Sequence, residues 1–383
     1  MTPDTDMTSL ITARVREAAR AGAPLRIRGG GSKDFYGQGL AGDVLDLAGH
    51  AGVISYEPSE LVVTVRGGTP LAALEALLAE QGQCLPFEPP HFGPHATVGG
   101  MVASGLSGPA RASSGAVRDY VLGVVLLNGK GEVLTFGGQV MKNVAGYDVS
   151  RLMAGTLGTL GAILEVSLKV LPVAPAEATL ACSGLPQQKA LDLLNRWGGQ
   201  PLPLNASCWV HDETDSPAQD RLFVRLRGAV AAVEAACPRL MADVQAAGGQ
   251  AARMDNAQAG ADWQACREQT LPFFTQPSAP DACLWRLSVP QTAPALDLPC
   301  APLIEWHGGL RWLWAPAGAA AQLRQAASQA HGHATLFRRA AGTPADLPVF
   351  TPLDAVQSRI QRALKKQFDP AGVFNPGRMA IDG

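Results

Sequence analysis

The chain has 383 residues, 47% of them apolar, and a formal net charge of −2; that is length for two domains and lacks the basic surplus of a nucleic-acid binder. Its 42 glycines and 29 prolines point to a loop-rich globular protein, since so apolar a chain is not a disordered one. The seven cysteines, at 84, 182, 208, 237, 266, 283 and 300, include no C-x-x-C pair, which argues against iron–sulfur or zinc sites within the chain and for reduced thiols in a cytoplasmic protein. The N-terminal stretch carries acidic residues and no apolar core, so no signal peptide is expected, and no segment reaches the apolar length of a membrane span.

Residues 8–21 place Leu10, Ile11, Val15, Ala18 and Ala19 at helical spacing. Leu25 and Ile27 alternate with Arg26 and Arg28, which predicts a half-buried strand, and a run of three glycines follows at once. Short strands are expected at 43–49, 52–58 and 61–68. Thr69 and Pro70 then open a helix, with Leu71, Leu74, Leu77 and Leu78 as its buried stripe and Gly82 at its end. Residues 83–120 keep no period, and an irregular stretch this long in an apolar chain predicts a functional loop. Residues 121–138 read as a hairpin turning at Asn128-Gly129-Lys130-Gly131, 147–155 as one or two helical turns, and 159–173 as a long strand. The composition changes near 172–175, where a domain boundary is expected. Beyond it, helical runs at 185–197, 228–247 and 317–330 alternate with strands such as 222–228 and 284–290, before a helix near 353–367.

Four glycine-bearing segments interrupt this pattern. The first is Arg28 to Lys33; the second runs from Thr97 to Gly108; the third spans Ser113 to Tyr120; the fourth covers 142–163, with Gly146, Gly155, Gly158 and Gly161. Glycine is costly to order and gives up side-chain packing, so such runs mark sharp turns or a close approach to the backbone. The first can form a concave array of main-chain N–H groups that binds an anion. It matches neither the phosphate loop ending in Gly-Lys-Ser/Thr nor the G-x-G-x-x-G dinucleotide spacing. Taken singly, each segment also reads as an ordinary turn or as tight packing.

Five stretches in order, RIRGGGSK, LPFEPPHFGPHATVGGMVASGLSGPARASSGAVRDYVLG, VMKNVAGYDVSRLMAGTLGTLGAILEVSLKVLP, HATLF and FDPAGVFNPGRM, resemble the FAD-binding oxidoreductases of the vanillyl-alcohol oxidase/p-cresol methylhydroxylase type. Within that group the chain is most similar to the FAD-binding subunits of bacterial glycolate oxidase. The likeness is dense over the first 172 residues and clear in the tail, and general in character over 176–330. It implies an α+β protein: a two-lobed FAD-binding domain over 1–175, an α/β cap that holds substrate over 176–330, and a C-terminal segment, 331–383, returning to the FAD site. It implies that Arg28, Gly29, Gly30, Gly31, Ser32 and Lys33 hold the FAD pyrophosphate. Pro90, Thr97, Val98, Gly99, Gly100, Ser104 and Gly108 would line the isoalloxazine and pyrophosphate. Ser114, Asp119 and Val124 would face the ribityl and adenosine side, Gly155, Gly158, Gly161 and Ile163 would close the channel, and Asn375 and Arg378 would lie near the flavin ring. Many relatives carry, within the first glycine loop, a histidine that bonds the flavin covalently; the aligned residue here is Ser32, so FAD is expected to be held non-covalently.

The chemistry implied is oxidation of a substrate C–H with hydride passing to the flavin. A 2-hydroxy acid then requires a cation for its carboxylate and a base for its hydroxyl proton. Arg311, Arg338 and Arg378 are the candidate cations; His307 and His333 are the candidate bases. His331 and His333 have the spacing of two ligands on one strand face, but a lone pair of this kind reads as structural, and no metal is expected. The His-rich, Asp-Gly-Asn substrate motif of the larger sister flavin subunit is missing. Two readings therefore stand: an enzyme subunit that passes electrons from a 2-hydroxy acid such as glycolate through FAD to an iron–sulfur partner, beside a sister FAD subunit; or a relay or assembly subunit that binds FAD but has a vestigial substrate pocket. Either would be cytoplasmic, at most peripheral at the inner face of the plasma membrane.

Overall fold

The computed structural model describes residues 4–138, 148–214 and 216–379. The chain divides into two compact units: Met1–Ser107, Ala116–Val173 and Pro348–Gly383 form the first, and Gly108–Gly115 with Ala174–Leu347 form the second.

The first unit is built on a five-stranded antiparallel sheet in the order Val53–Glu57, Val62–Arg66, Ala162–Lys169, Val121–Leu127, Val133–Gly137. The three central strands are rich in valine and leucine and are buried, as β-branched residues on a pleated surface favour. Helices Leu71–Glu80 and Val98–Ser104 share their core. Leu71, Leu74 and Leu78 are fully enclosed, each contributing roughly 1.5–3 kcal/mol by burial, while Leu77 stays half-exposed. Thr69 does not cap this helix as expected: its hydroxyl exchanges two 3.0 Å hydrogen bonds with the main chain of Gly52, and the first helical N–H, of Leu71, finds the Ala96 carbonyl instead. The hairpin turns where expected, because the Asn128 side-chain oxygen accepts from the N–H groups of Lys130 and Glu132.

A second layer of the same unit sets up the site. Strand Leu25–Arg28 pairs in parallel with Asp43–Asp46 and packs with helix Thr8–Ala21, which ends at Gly22 in the left-handed region. The tail adds a third partner: the Leu25 N–H donates to the Val373 carbonyl at 2.7 Å, the Asn375 N–H donates back to Leu25 at 2.9 Å, and Phe374 is fully buried beside them.

The second unit holds an eight-stranded antiparallel sheet in the order Gln250–Arg253, Ala176–Ser183, Gln219–Gly228, Leu204–Asp212, Leu303–Glu305, Leu310–Pro316, Ala282–Ser288, His333–Arg338. Helices Gln187–Gly198 and Val230–Ala246 supply one core with it, and Ala320–Gln329 supplies another. Strand His333–Arg338 pairs with Ala282–Ser288, so residues 331–347 belong here and not to a returning tail. The return to the first unit begins at Pro348. The architecture is α+β.

Candidate functional site

Strand Leu25–Arg28 delivers the chain into Gly29–Lys33, one wall of a cleft that Thr97, Gly100, Ser104, Leu157, Asn375 and Arg378 also line. Among the described residues, none accepts a hydrogen bond from the main-chain N–H groups of Gly29, Gly30, Gly31 or Ser32. All four residues are half-buried, where an unpaired amide is costly. Four such donors in succession, with Gly31 at φ +72°, form the kind of concavity that takes an anion. Positive charge stands beside them. Lys33 reaches the His91 carbonyl at 3.1 Å and the Ser32 hydroxyl at 3.3 Å, and Arg28 is held by Asp34 at 3.0 Å.

The glycines themselves answer to the protein as much as to a ligand. A Cβ on Gly30 would stand 1.4 Å from the His95 carbonyl oxygen, and one on Gly29 would stand 2.3 Å from the Thr97 hydroxyl. At Gly99 it would meet the Gly67 carbonyl oxygen at 2.8 Å, the group to which the Gly99 N–H donates. Thr97 caps helix Val98–Ser104 by accepting from the Gly100 N–H at 3.3 Å. The second glycine segment thus supports the first loop from behind.

Several residues expected at the cofactor are not among those that line this cleft. The side chains of Val98, Val124 and Ile163 lie in the hydrophobic core, and Pro90 is buried outside the cleft lining. The Asp119 carboxylate accepts from the Ala116 N–H at 2.8 Å and fixes a turn. Gly161 lies against the Leu127 carbonyl; Gly155 and Gly158 take φ values of +86° and +71°, and Gly158 abuts Asn375 and Ile27 of the cleft. Gly108 and Ser114 belong to the second unit. Residues 142–147, with Gly146, lie outside the described residues. Ile27, Asp34, Leu40, Ala103 and Leu157 line the cleft without having been anticipated; the glycines around Leu157 were the only hint.

Asn375 and Arg378 brace this cleft. Asn375 accepts from the Ile27 N–H at 2.8 Å and donates to the Leu157 carbonyl at 2.6 Å, with its own backbone at φ +40°. Arg378 donates to the carbonyls of Gln38 at 2.6 Å, Asp34 at 2.9 Å and Lys33 at 3.3 Å. Burial holds its pKa below the usual arginine range. Both residues are spent on main chain, so their part is to shape the loop.

The candidate substrate residues of the second unit are engaged in the same way. His307 is buried, with Nε2 2.9 Å from the Ser113 hydroxyl and Nδ1 3.0 Å from the Ser207 hydroxyl, and burial lowers its pKa to about 4. Arg311 is fully buried and donates to the carbonyls of Pro294 at 2.7 Å, Ala293 at 2.8 Å and Gly308 at 3.3 Å; burial lowers its pKa to about 10. These contacts pin a loop and a turn, and they leave neither group a free face for a substrate. Arg338 donates to the Gln269 side chain at 2.9 Å, and His333 stands exposed at the start of the edge strand. Among the described residues no helix is long and apolar enough to cross a membrane.

Comparison with known proteins gives the family and its cofactor. Residues 8–137 match the model of the family described as FAD binding domain. The glycolate oxidase subunit GlcE of Escherichia coli strain K12 is 44% identical over 379 residues, 99% of each chain. The mitochondrial cytochrome-type D-lactate dehydrogenase of Arabidopsis thaliana is 31% identical over 163 residues, 42% of this chain and 28% of that protein. Among solved structures, an alkyldihydroxyacetonephosphate synthase superposes with a TM-score of 0.68 at 14% identity, covering 98% of this chain and 76% of the other. With an FAD-binding domain and end-to-end similarity to GlcE, the chain belongs to the GlcE family of FAD-dependent oxidoreductase subunits.

Proposed function

We propose that this chain is the FAD-binding subunit of a glycolate oxidase-type 2-hydroxy-acid dehydrogenase. In this reading it holds FAD non-covalently and passes electrons from substrate to an iron–sulfur partner, beside a sister FAD subunit, in the cytoplasm or peripherally at the inner face of the plasma membrane. The observation that carries the reading is the run of four unengaged amides at Gly29–Ser32 over the cleft. Those amides would hold the cofactor diphosphate, with Arg28 and Lys33 balancing its charge. Bound FAD supplies an acceptor for the hydride of an oxidised C–H. Ser32 offers no imidazole for a covalent link. With so many main-chain donors available, tight binding does not require one.

A second reading is favoured by one specific observation: both nitrogens of His307 and the guanidinium of Arg311 are taken up by the protein itself. The chain would then relay electrons through FAD, and the sister subunit would oxidise the substrate. One experiment separates the two. The purified chain is expected to be yellow and to release its flavin on acid denaturation. Anaerobic glycolate or D-lactate that bleaches the isolated chain supports the first reading. Bleaching that needs the sister chain supports the second. Colourless protein that takes up no FAD overturns both.

A further inference from the structure

The second unit contains a cavity of about 740 Å³ that neither reading uses. It is large enough for a small organic molecule. Its walls are aromatic: Phe223 from the sheet, Trp263 from helix Asn256–Glu268, Phe273 from the turn Pro272–Thr275, and Trp314 from strand Leu310–Pro316. The rings are fixed in place. The Trp263 indole N–H donates to the Thr179 hydroxyl at 3.0 Å, and that of Trp314 donates to the Phe273 carbonyl at 2.6 Å.

The carboxylates around this aromatic chamber outnumber its cationic groups, since the one basic side chain in the lining, His211, already sits 2.7 Å from Asp220. Asp212, Glu213 and Asp262 line the chamber, and no lysine or arginine is among the described residues that do. Asp212 already faces Arg221 at 3.3 Å. Among the described residues neither Glu213 nor Asp262 has an ion-pair partner, and Asp262 only accepts from the Gln258 amide at 2.9 Å. A carboxylate ligand, such as a 2-hydroxy acid, would meet three carboxylates there and no lysine or arginine in the lining. Arg225 already stacks on the Trp263 ring at 4.9 Å, so a flat apolar body carrying a positive charge would stack on Trp314, Phe223 or Phe273 and be drawn to the two unpaired carboxylates.

We infer that this cavity is a binding site for an organic cation of arylalkylammonium or quaternary-ammonium type, lined by none of the residues of the glycine-loop cleft. The site does not depend on the function proposed above. Isothermal titration of the full FAD-loaded chain tests it with three probes of similar shape: benzyltrimethylammonium, benzyl alcohol and phenylacetate. The cation is expected to bind with a Kd of about 1 mM or tighter and about tenfold better than the neutral alcohol, with phenylacetate weakest. In a Glu213→Gln/Asp262→Asn variant the cation should fall to the level of the alcohol. Both residues lie on exposed or half-exposed surface, so flavin content and melting temperature should not move. Equal or better binding of phenylacetate, no binding of the cation, or cation binding unchanged in the double variant would overturn the assignment.

Discussion

His307 shows what burial does to a group that sequence alone presents as a catalytic base. In the unfolded chain its pKa is near 6.5, and in the folded chain it is about 4. Between those values the unfolded state binds a proton that the folded state refuses, so stability falls as pH drops through 6.5 and this contribution levels off below 4. The full swing is about 3 kcal/mol. Urea midpoints followed by tryptophan fluorescence at pH 7 and pH 4.5 are expected to differ clearly in the parent chain and less in His307→Gln. The same pH dependence in both proteins would mean that His307 titrates normally and is not sealed between Ser113 and Ser207. His50 is its counterpart in the first unit: a fully buried ring whose Nδ1 accepts from the Met7 N–H at 3.0 Å, with a pKa lowered chiefly by burial.

At the level of elements, the cleft depends on a tail that meets the first strand from the far end of the chain. Asn375 joins Ile27 to Leu157, and Arg378 ties down residues 33–38. Asn375→Ala loses both bridges and strands two main-chain groups, a cost of about 2 kcal/mol. Equilibrium dialysis with FAD is expected to show affinity reduced about tenfold or more, together with a lower urea midpoint. Lys33→Met should weaken FAD binding while leaving that midpoint nearly in place. Wild-type affinity in Asn375→Ala would show that the tail does not organise the loop. Substitution of Gly30 or Gly99 would decide nothing about the cofactor, since a side chain there collides with His95 or Gly67 whether FAD binds or not. That ambiguity marks how far the sequence was legible. Periodicity located the central strands, the hairpin and the leucine helix because burial repeats locally along the chain. A glycine run is visible in the same way, but whether the missing Cβ makes room for a ligand or for the protein's own backbone is not. Nor was it visible that His307 and Arg311 would be enclosed: the Ser207 and Ser113 partners of His307 lie 100 and 194 residues away. Thr69 failed as a cap for a similar reason, its hydroxyl being claimed by Gly52.

Across the whole molecule, the two units have separate hydrophobic cores, and the chain happens to label them differently. All seven tryptophans, at 197, 209, 263, 285, 306, 312 and 314, fall in the second unit, whereas every residue lining the glycine-loop cleft falls in the first. Tryptophan emission therefore reports unfolding of one unit, and, if the glycine-loop cleft holds FAD as proposed, release of flavin fluorescence reports the other. A ligand that binds only folded protein adds RT ln(1 + [L]/Kd), about 2.7 kcal/mol at roughly a hundredfold excess over Kd. In thermal melts with increasing FAD, the flavin-release midpoint is expected to climb while the tryptophan midpoint stays fixed. If both climb together, the two units unfold as one cooperative block despite their separate cores. If neither moves, the amides of Gly29–Ser32 do not hold the cofactor, and the cleft loses its assignment.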